Sequence, residues 1–538
     1  MSMRTDDLDL ISDYLAREMA DRCIPGLAVA LTDRHRLIWT ATFGFSDMSA
    51  RHPVTPIHRF QIGSISKSFA SIALLQLQEQ GALSLDDPVT LHLPWFKVRS
   101  RYGPITLRHL MSHTAGIVTG TDSSPSAYSE VAGLSELETG SAPGSLFHYS
   151  NTGYKVLGLV LEEVTGKVNR EVLEEKVIGP IGMDDTEAEI TNGNRPSQPV
   201  GYTFLHNDRP QRSCPELVPS TSFESNTADG SIISTPADMA AYVRMLLNRG
   251  VCGVRRIISR RSFAMLTDQV AKPMDARPGE FYGLGLSTQS VGGRRVIGHT
   301  GGMVGFVSEI RADLGAGLGV VVLNNSRIDS SSFAGNVLRI ARALRAGKRP
   351  PRIPRFDSTR VPRASEYTGT YRCGSKNVKV RASGRTLLLE TGTDAVTLEF
   401  RGKDRFYANH PEFELFEIKF GRQGGIVEEM LHGPDWYRGP RQLSKTQAEH
   451  PETWNAYAGQ YRSHNPWTPS FRVILRKGSI FFVDSTGEEV PMSPLEDGSF
   501  RLGGDSRSPE RISFGRLVHG KATKAVLSGS EWNRVSLP

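Results

Sequence analysis

The chain has 538 residues, and its 64 lysines and arginines outnumber its 57 aspartates and glutamates, for a formal net charge of +7. A hydrophobic share of 38% with 53 glycines and 31 prolines supplies several packed cores and excludes global disorder. A charged share of 22% excludes a coiled-coil rod.

The excess positive charge lies in one segment. Nine basic residues and a single acid, Asp357, occupy the stretch from Arg339 to Arg363, so the rest of the chain is close to neutral. A nucleic-acid-binding face would show interleaved aromatic residues, whereas this stretch is interrupted by prolines. We therefore predict a helix end followed by an extended linker over residues 347–363, and no nucleic-acid partner.

The N-terminal sixteen residues carry four aspartates and no apolar segment, which predicts that no signal peptide is present. No window approaches 18 uninterrupted apolar residues, so we expect no membrane contact. The four cysteines are scattered without metal-ligand spacing, and we interpret them as reduced thiols. These features together favour a cytoplasmic protein.

The first two thirds of the chain mix helical and strand periodicity. Helices are predicted over residues 5–20, 66–80, 107–112, 154–165, 236–247 and 333–346. Strands are predicted at 26–31, 37–43, 283–289, 294–298, 305–312 and 318–324. A Pro/Ser-rich excursion is expected over 195–225. This order predicts an α/β or α+β domain over residues 1–346, large enough to hold a helical subdomain.

After the linker, short alternating segments bounded by Gly or Asp predict an all-β region. The pattern Tyr367-Thr-Gly-Thr-Tyr371 recurs 90 residues later as Tyr457-Ala-Gly-Gln-Tyr461. We predict two tandem antiparallel barrels, over 364–448 and 453–538. The alternative is one continuous β-domain.

Three short motifs carry groups able to do chemistry. Ser64 and Lys67 are spaced i, i+3 at the start of the helix predicted over 66–80, which places the hydroxyl and the amine on one face. The helix N-terminus favours an oxyanion there and disfavours a protonated lysine. Taken alone, the pair could equally be a capping serine beside a surface lysine.

The second and third motifs lie farther along the chain. Tyr149 and Asn151 precede a predicted helix, so we place both on a loop from which they could point into a cleft. His299-Thr-Gly301-Gly302 lies between two predicted strands, where the glycines would let a ligand approach the backbone. Separately, these motifs could be a packing aromatic and a tight hairpin.

In this order, the three motifs resemble those of the serine penicillin-recognising hydrolases: class C β-lactamases, DD-peptidases, esterases and D-aminopeptidases. Residues 106–116 and 228–238 are similar to structural segments of that family, so the resemblance extends over about residues 8–345. It implies a β-lactamase/transpeptidase-like catalytic domain of the α/β (α+β) class with a helical subdomain. Two antiparallel, lipocalin-like β-barrels would follow it.

The resemblance also implies roles for the motif residues. Ser64 would be the nucleophile, and either Tyr149 or Lys67 would be the base, a choice that the sequence leaves open. Asn151 would orient Lys67 and the substrate amide, with Gly301 also lining the substrate site. The N–H groups of Ser64 and Gly302 would form the oxyanion hole. No metal or organic cofactor is implied.

Two departures from the common family pattern bear on the substrate. His299 stands where the family most often has lysine, a form typical of the aminopeptidase and esterase branches, and it would add positive charge if protonated. This replacement argues against recognition of a β-lactam carboxylate. Paired barrels resemble those of the D-stereospecific aminopeptidases, in which a barrel loop reaches the active site. The candidate loops here are 462–469, with Trp467, and 503–509, with Asp505.

The favoured function is therefore a D-stereospecific aminopeptidase or amidase acting on short peptides or amides through a covalent acyl-enzyme. A carboxylesterase using the same site is the first alternative, and a β-lactamase or DD-peptidase is the second. A catalytically silent binding module is disfavoured by the intact triad. A small peptide or amide substrate is the expected partner, and a homodimer is an assembly that the sequence leaves open.

Other motifs do not lead to a function. His109 and His113 are spaced i, i+4 but lack the glutamate of a zinc-peptidase motif, so no metal site is expected. The segment Gly315–Gly319 lies between predicted strands, and we interpret it as a turn rather than a nucleotide loop.

Overall fold

The computed structural model describes residues 3–122, 126–274, 276–440 and 449–535. The chain divides into two compact units, of which the first comprises Met1–Thr203 and Leu217–Pro354. The second comprises Phe204–Glu216 and Arg355–Pro538. No helix within the described ranges is long and apolar enough to cross a membrane.

The first unit combines helices with an antiparallel sheet. Its helices are α1 (Thr5–Arg22), α2 (Ser66–Glu79), α3 (Val89–His92), α4 (Leu107–Met111), α5 (Ala127–Gly133), α6 (Asn151–Thr165), α7 (Asn169–Leu173), α8 (Gly179–Ile181), α9 (Pro236–Leu247), α10 (Arg260–Thr267) and α11 (Phe333–Arg345).

Its strands are β1 (Gly26–Asp33), β2 (Leu37–Asp47), β3 (His52–Pro53), β4 (Phe60–Gln61), β5 (Tyr202–Phe204), β6 (Leu217–Pro219), β7 (Ile233–Ser234), β8 (Val251–Cys252), β9 (Arg255–Arg256), β10 (Phe281–Tyr282), β11 (Ser287–Val291), β12 (Arg294–Met303), β13 (Phe306–Asp313) and β14 (Leu318–Asn324).

The main sheet joins the two ends of this unit. Its strand order is β10-β11-β12-β13-β14-β1-β2-β3, so β1 from the N-terminal end pairs with β14 from the C-terminal end. Helix α9 packs on β14 and β1, and α11 packs on β14 and α1. Helices α2 to α8 are inserted between β4 and β5, where α6 packs against α2, α4, α5 and α7. The predicted mixed domain with helical content is confirmed, and its sheet is antiparallel.

Two local predictions need correction. His299 to Gly302 do not form a hairpin between strands, because β12 continues through them to Met303 in register with β13, with His299 opposite Ile310. Asn151 is not in a loop but is the first residue of α6. The Ser150 hydroxyl accepts the Gly153 N–H at 2.9 Å and caps the helix, which begins two residues after Tyr149.

The second unit contains two closed antiparallel barrels, as predicted. The first has strands β15 (Gly369–Cys373), β16 (Lys376–Ser383), β17 (Thr386–Thr391), β18 (Asp394–Gly402), β19 (Arg405–Ala408), β20 (Ile418–Gln423), β21 (Ile426–His432) and β22 (Asp435–Arg438). The second has β23 (Gly459–Arg462), β24 (Ser470–Arg476), β25 (Ser479–Asp484), β26 (Glu489–Pro494), β27 (Phe500–Leu502), β28 (Arg511–Val518), β29 (Lys521–Leu527) and β30 (Ser530–Arg534).

The repeated tyrosine pattern has the same structure in both barrels. The Tyr371 hydroxyl donates to the Tyr367 carbonyl at 2.8 Å, and the Tyr461 hydroxyl donates to the Tyr457 carbonyl at 2.8 Å. Each second tyrosine is buried in the core of its barrel. The sequence repeat therefore corresponds to a repeated way of starting the first strand.

The boundaries of the barrel unit differ from the predicted domain boundaries. Val361 lies in the segment predicted as linker, yet it is fully buried in the first barrel's core. The predicted end of that barrel at residue 448 falls in 441–448, outside the described residues. Segment 204–216, part of the predicted excursion, belongs to the barrel unit, where the Ser213 N–H and hydroxyl both donate to Glu399 at 2.7 Å.

The prediction of reduced thiols holds for only part of the cysteines. Cys252 and Cys373 are free, whereas Cys23 and Cys214 are disulfide-bonded. Disulfides are typical of oxidising compartments, so this observation does not favour the expected cytoplasmic location.

Candidate active site

Ser64 lies on a single 3-10 turn, Gly63–Ile65, that leads directly into α2. One turn later along the chain, Lys67 is fully buried. Its Nζ donates to Ser64 Oγ at 3.0 Å and to the carbonyl of Asp229 at 2.8 Å. The amine is therefore held against the hydroxyl by a second, fixed partner from another part of the unit.

Two glycines bring strand β12 against the Ser64 turn. A Cβ on Gly301 would come within 1.8 Å of the Ile62 carbonyl oxygen, and one on Gly63 within 2.8 Å of the Gly302 nitrogen. Gly63 also has a φ of 54°, which glycine adopts most readily. The amide of Gly302 consequently lies beside the Ser64 turn, whereas a Cβ on Gly302 itself would meet open space.

Tyr149 packs between Lys67 and a histidine. Lys67 Nζ lies 5.2 Å from the centroid of the Tyr149 ring, and the His113 ring lies 4.1 Å from the same centroid. His113 Nδ1 accepts the Ser150 N–H at 3.0 Å. Burial first, and then the positive charge of Lys67, hold the pKa of His113 well below its usual range, so the ring is neutral.

Asn151 faces a group of charged side chains. Its Nδ2 donates to Asp122 at 3.4 Å, and Asp122 also pairs with Lys155, which in turn contacts Glu130 at 2.6 Å. The Asn151 Oδ1 is buried and has no hydrogen-bond partner among the residues that the structure describes. This oxygen is the part of Asn151 that remains available for a ligand.

Both ring nitrogens of His299 are engaged by the protein. Nδ1 lies 2.5 Å from the Thr300 carbonyl, an acceptor, so Nδ1 carries the proton. Nε2 lies 3.0 Å from the hydroxyl of Tyr282, which must then be the donor. Burial lowers the pKa of His299 to about 3. The condition under which His299 would add positive charge, a protonated ring, is therefore not met at neutral pH.

Sequence reasoning assigned no role to Tyr282, His113 or Asp229. Tyr282 lies on β10, two strands from β12 in the sheet, and no spacing rule relates it to His299. Asp229 acts through its backbone carbonyl, which carries no residue-type signal. His113 and Asp229 both lie in segments that the sequence analysis had singled out, 106–116 and 228–238, whereas Tyr282 does not. The described ranges contain no group of three or more His, Cys, Asp or Glu side chains that could hold a metal ion.

The chemistry open to this arrangement is proton transfer to and from a serine hydroxyl. A buried amine touches Ser64, a phenol ring lies beside that amine, and a backbone amide on β12 adjoins the same turn. Such a set can generate an alkoxide and stabilise the oxyanion formed when it attacks a carbonyl.

Comparison with known proteins places this geometry in a family. The family model described as beta-lactamase matches residues 11–345. Protein flp of Staphylococcus aureus (strain MW2) is 24% identical over 332 residues, which are 60% of this chain and 64% of that protein. The chain thus spans about 64% of the length of this curated relative.

Two solved structures are also similar. The octameric penicillin-binding protein homologue from Pyrococcus abyssi is 25% identical with a TM-score of 0.59, covering 80% of this chain and 99% of that one. A D-stereospecific amidohydrolase from Streptomyces sp. is 26% identical with a TM-score of 0.51, covering 63% of this chain and 99% of that one. The matched range contains the Ser64, Tyr149 and His299 motifs, and the chain belongs to the beta-lactamase family.

Proposed function

We propose that this protein is a D-stereospecific aminopeptidase or amidase that hydrolyses short peptides or amides through an acyl-enzyme on Ser64. The assignment of Ser64 as the nucleophile depends on one observation. Ser64 Oγ lies 3.0 Å from Lys67 Nζ, and the Gly302 amide adjoins the same turn. The likeness to the Streptomyces D-stereospecific amidohydrolase supports the choice of amide over ester.

In the proposed reaction, Ser64 Oγ bonds to the substrate carbonyl carbon and gives its proton to the Lys67–Tyr149 pair. The N–H groups of Ser64 and Gly302 hold the resulting oxyanion. Collapse of this tetrahedral species breaks the carbon–nitrogen bond, and the leaving amine takes the proton from the same pair. Water then attacks the ester and passes a proton to that pair, which restores the Ser64 hydroxyl and releases the acid.

Either Lys67 or Tyr149 could be the group that first accepts the serine proton. Lys67 Nζ contacts Ser64 Oγ directly, and the centroid of the Tyr149 ring lies 5.2 Å from the same amine. A neutral Lys67 could act alone, or a Tyr149 phenolate next to a charged Lys67 could act instead. In both versions the two side chains serve one proton transfer. Asn151 would present its free Oδ1 to the substrate amide N–H.

The state of His299 limits which substrates fit. A neutral imidazole with both nitrogens engaged offers no cation to a carboxylate. Substrates recognised through a carboxylate, as β-lactams and C-terminal D-residues are, should therefore bind poorly. Binding of an amide, or of an ester of a short acyl group, does not require a cation in the site. This feature keeps carboxylesterase activity as the second candidate function.

A substrate panel on the full-length protein tests the proposal. It would comprise D-alanine p-nitroanilide, L-alanine p-nitroanilide, p-nitrophenyl butyrate and nitrocefin, with Ser64→Ala as the inactive control. We expect the highest kcat/KM for the D-anilide and almost none for nitrocefin. A preference for the butyrate ester would assign the esterase function, and fast nitrocefin turnover would contradict the carboxylate argument.

A further inference from the structure

The first unit has a second concave site, distinct from the catalytic residues, which we name the arginine groove. It encloses about 850 Å³ between the end of α9, the β8–β9 hairpin, α10, the start of β12 and the turn after β13. This volume falls within the range typical of small-molecule pockets. Arg295 on its wall and Gly302 at the active site are seven residues apart on β12, or about 23 Å along the strand.

Positive charge dominates the groove. Its lining contains five arginines against two acids, for a formal charge of +3: Arg249, Arg256, Arg260, Arg294 and Arg295, with Asp268 and Asp313. One of the acids is already committed, because Asp313 pairs with Arg342 at 3.3 Å.

Four of these arginines have no direct partner within the described part of the chain, although the charge of Arg256 reaches Glu79 and helps to lower the pKa of that carboxyl. Among the residues that the structure describes, the side chains of Arg249, Arg256, Arg260 and Arg294 make no ion pair or hydrogen bond. Arg295 donates only to the Thr267 carbonyl, at 2.7 Å. Several unpaired guanidinium groups around one cavity repel one another, and a bound anion would relieve that repulsion.

The periodicity of the hairpin and of helix α10 determines which arginines line the groove. Val251 and Arg256 are paired across the β8–β9 hairpin and both line the groove, whereas Arg255 does not. On α10, Arg260, Phe263, Ala264 and Thr267 all line it, the spacing of one helix face, whereas Arg261 does not. Arg255 and Arg261 are therefore chemically matched neighbours whose charges face elsewhere.

The chemistry of the lining defines a class of ligand. Guanidinium groups bind phosphate oxygens in a forked, two-hydrogen-bond geometry, and groups from separate elements suit an anion with several such oxygens. The remaining lining includes Phe263, Ile297 and Leu314, which offer apolar surface to an organic body. We propose that the arginine groove binds a small phosphorylated organic anion carrying at least three negative charges.

Isothermal titration of the full-length protein at constant ionic strength and without divalent metal tests this proposal. The probes are adenosine triphosphate, inorganic pyrophosphate and citrate, the last being a polyanion without phosphate. The test variant is Arg256→Gln/Arg260→Gln, and the control is Arg255→Gln/Arg261→Gln, which removes the same two charges from the same hairpin and helix.

We expect adenosine triphosphate to bind the wild type and the control alike, and to bind the test variant at least tenfold more weakly. Pyrophosphate should bind more tightly than citrate. Binding should also raise the Tm of the wild type and the control but not that of the test variant. Hydrolysis of p-nitroanilide or butyrate substrates should be unchanged in both variants, so the outcome is independent of the proposed function.

Three results would overturn the proposal. Equal weakening in test and control variants would mean that the arginines act only as diffuse surface charge. Citrate binding as tightly as both phosphate probes would remove the phosphate preference. Absence of heat or Tm shift with every probe would show that the groove binds no such anion.

Discussion

Two basic residues of the candidate active site, Lys67 and His299, differ in the partners that surround them. Lys67 is buried with its amine against Ser64, and its other hydrogen-bond partner is a carbonyl that cannot take its proton. His299 is buried with both nitrogens occupied, by Thr300 and Tyr282. One base is left free to exchange a proton with the nucleophile, and the other is fixed as a neutral group.

This difference shows that a motif position identifies a residue without fixing its protonation state. The histidine in the third motif could have supplied charge to the site. Burial instead keeps the ring neutral, with smaller contributions from the charges of Lys67 and Arg311, and it outweighs the Thr300 carbonyl at Nδ1, which favours the protonated ring. The following predictions, from the largest expected effect to the smallest, test this contrast.

Removal of the nucleophile should have the largest effect. Ser64→Ala should lower kcat by roughly 10⁶-fold, the loss seen when the serine of another serine hydrolase is removed. The Tm should stay near that of the wild type, because Ser64 is only half-buried. Mass spectrometry of the wild type treated with a phosphonate should find the adduct on Ser64, and an adduct on another serine would refute the assignment.

Lys67 and Tyr149 should behave as one functional unit. Lys67→Ala and Tyr149→Phe should each lower kcat by ~10²–10⁴-fold, the range for general acid–base catalysis. The double variant should be little worse than either single one, because both side chains serve the same proton transfer. Losses that multiply in the double variant would show that the two groups act independently.

Tyr282→Phe should make His299 easier to protonate. Without the hydroxyl, His299 Nε2 loses the donor that favours its unprotonated form, so the pKa of His299 should rise from about 3. Burial, the main cause of the low pKa, remains in the variant and limits that rise. As the pH falls from 7 to 5, the variant should gain kcat/KM for D-alanyl-D-alanine relative to D-alanine amide. The wild type should show no such trend.

A stability measurement separates this effect from simple damage at the site. Leaving Nε2 buried without a partner should cost about 1–3 kcal/mol of unfolding free energy. Phe147→Leu is a suitable control because Phe147 also packs against the Tyr282 ring, at 5.5 Å, without contributing a hydrogen bond to His299. If that control shifts the pH trend equally, the Tyr282 hydroxyl does not set the state of His299.

Neutral His299 should also make the fold sensitive to acid. Its pKa is about 3 in the folded protein and 6.5 ordinarily, so the unfolded chain binds the extra proton between these values. Stability attributable to this group is complete above pH 6.5 and falls as the pH drops, by up to about 1.4 kcal/mol per pH unit. His299→Gln should therefore lose less Tm than the wild type between pH 6.5 and 4.5. Parallel curves would contradict the assigned neutral state.

The smallest expected effect concerns the barrel loops, which are candidates to select substrates if His299 does not. Deleting 462–469 or 503–509 should lower the ratio of D-alanine amide to butyrate ester hydrolysis severalfold. Trp467→Ala is the milder test, because it leaves in place the hydrogen bond that the Trp532 side chain donates through Nε1 to the Thr468 carbonyl of the loop. Unchanged ratios in all three variants would show that these loops do not shape the site.

The structure sharpens the choice between those loops. The Asp505 carboxylate would be the group of loop 503–509 to pair with a substrate ammonium, but it already accepts hydrogen bonds from the Arg507 side chain, which lower its pKa to about 2. Any role for Asp505 in binding an amine would require Arg507 to release it. Arg507→Ala should therefore strengthen amine binding if loop 503–509 takes part, and should have no effect otherwise.

The sequence could predict contacts between residues that lie close together along the chain. Ser64 and Lys67 are one helical turn apart, so their spacing alone predicts that hydroxyl and amine meet. The alternating segments and the repeated tyrosine pattern predict two barrels because strand alternation and turns are local signals. The limits of β12 were missed, since strand pairing with β13, and not local propensity, carries the strand through His299 and two glycines.

The sequence by itself therefore determined the family, the order of the domains and the identity of the motif residues. Tertiary structure alone decided that Tyr282 donates to His299, that the Asp229 carbonyl holds Lys67, and that residues 204–216 belong to the barrel unit. Each of these depends on which distant strands and loops become neighbours. Charge states followed from the same source, because desolvation and hydrogen bonding set a pKa only once the neighbours of a group are fixed.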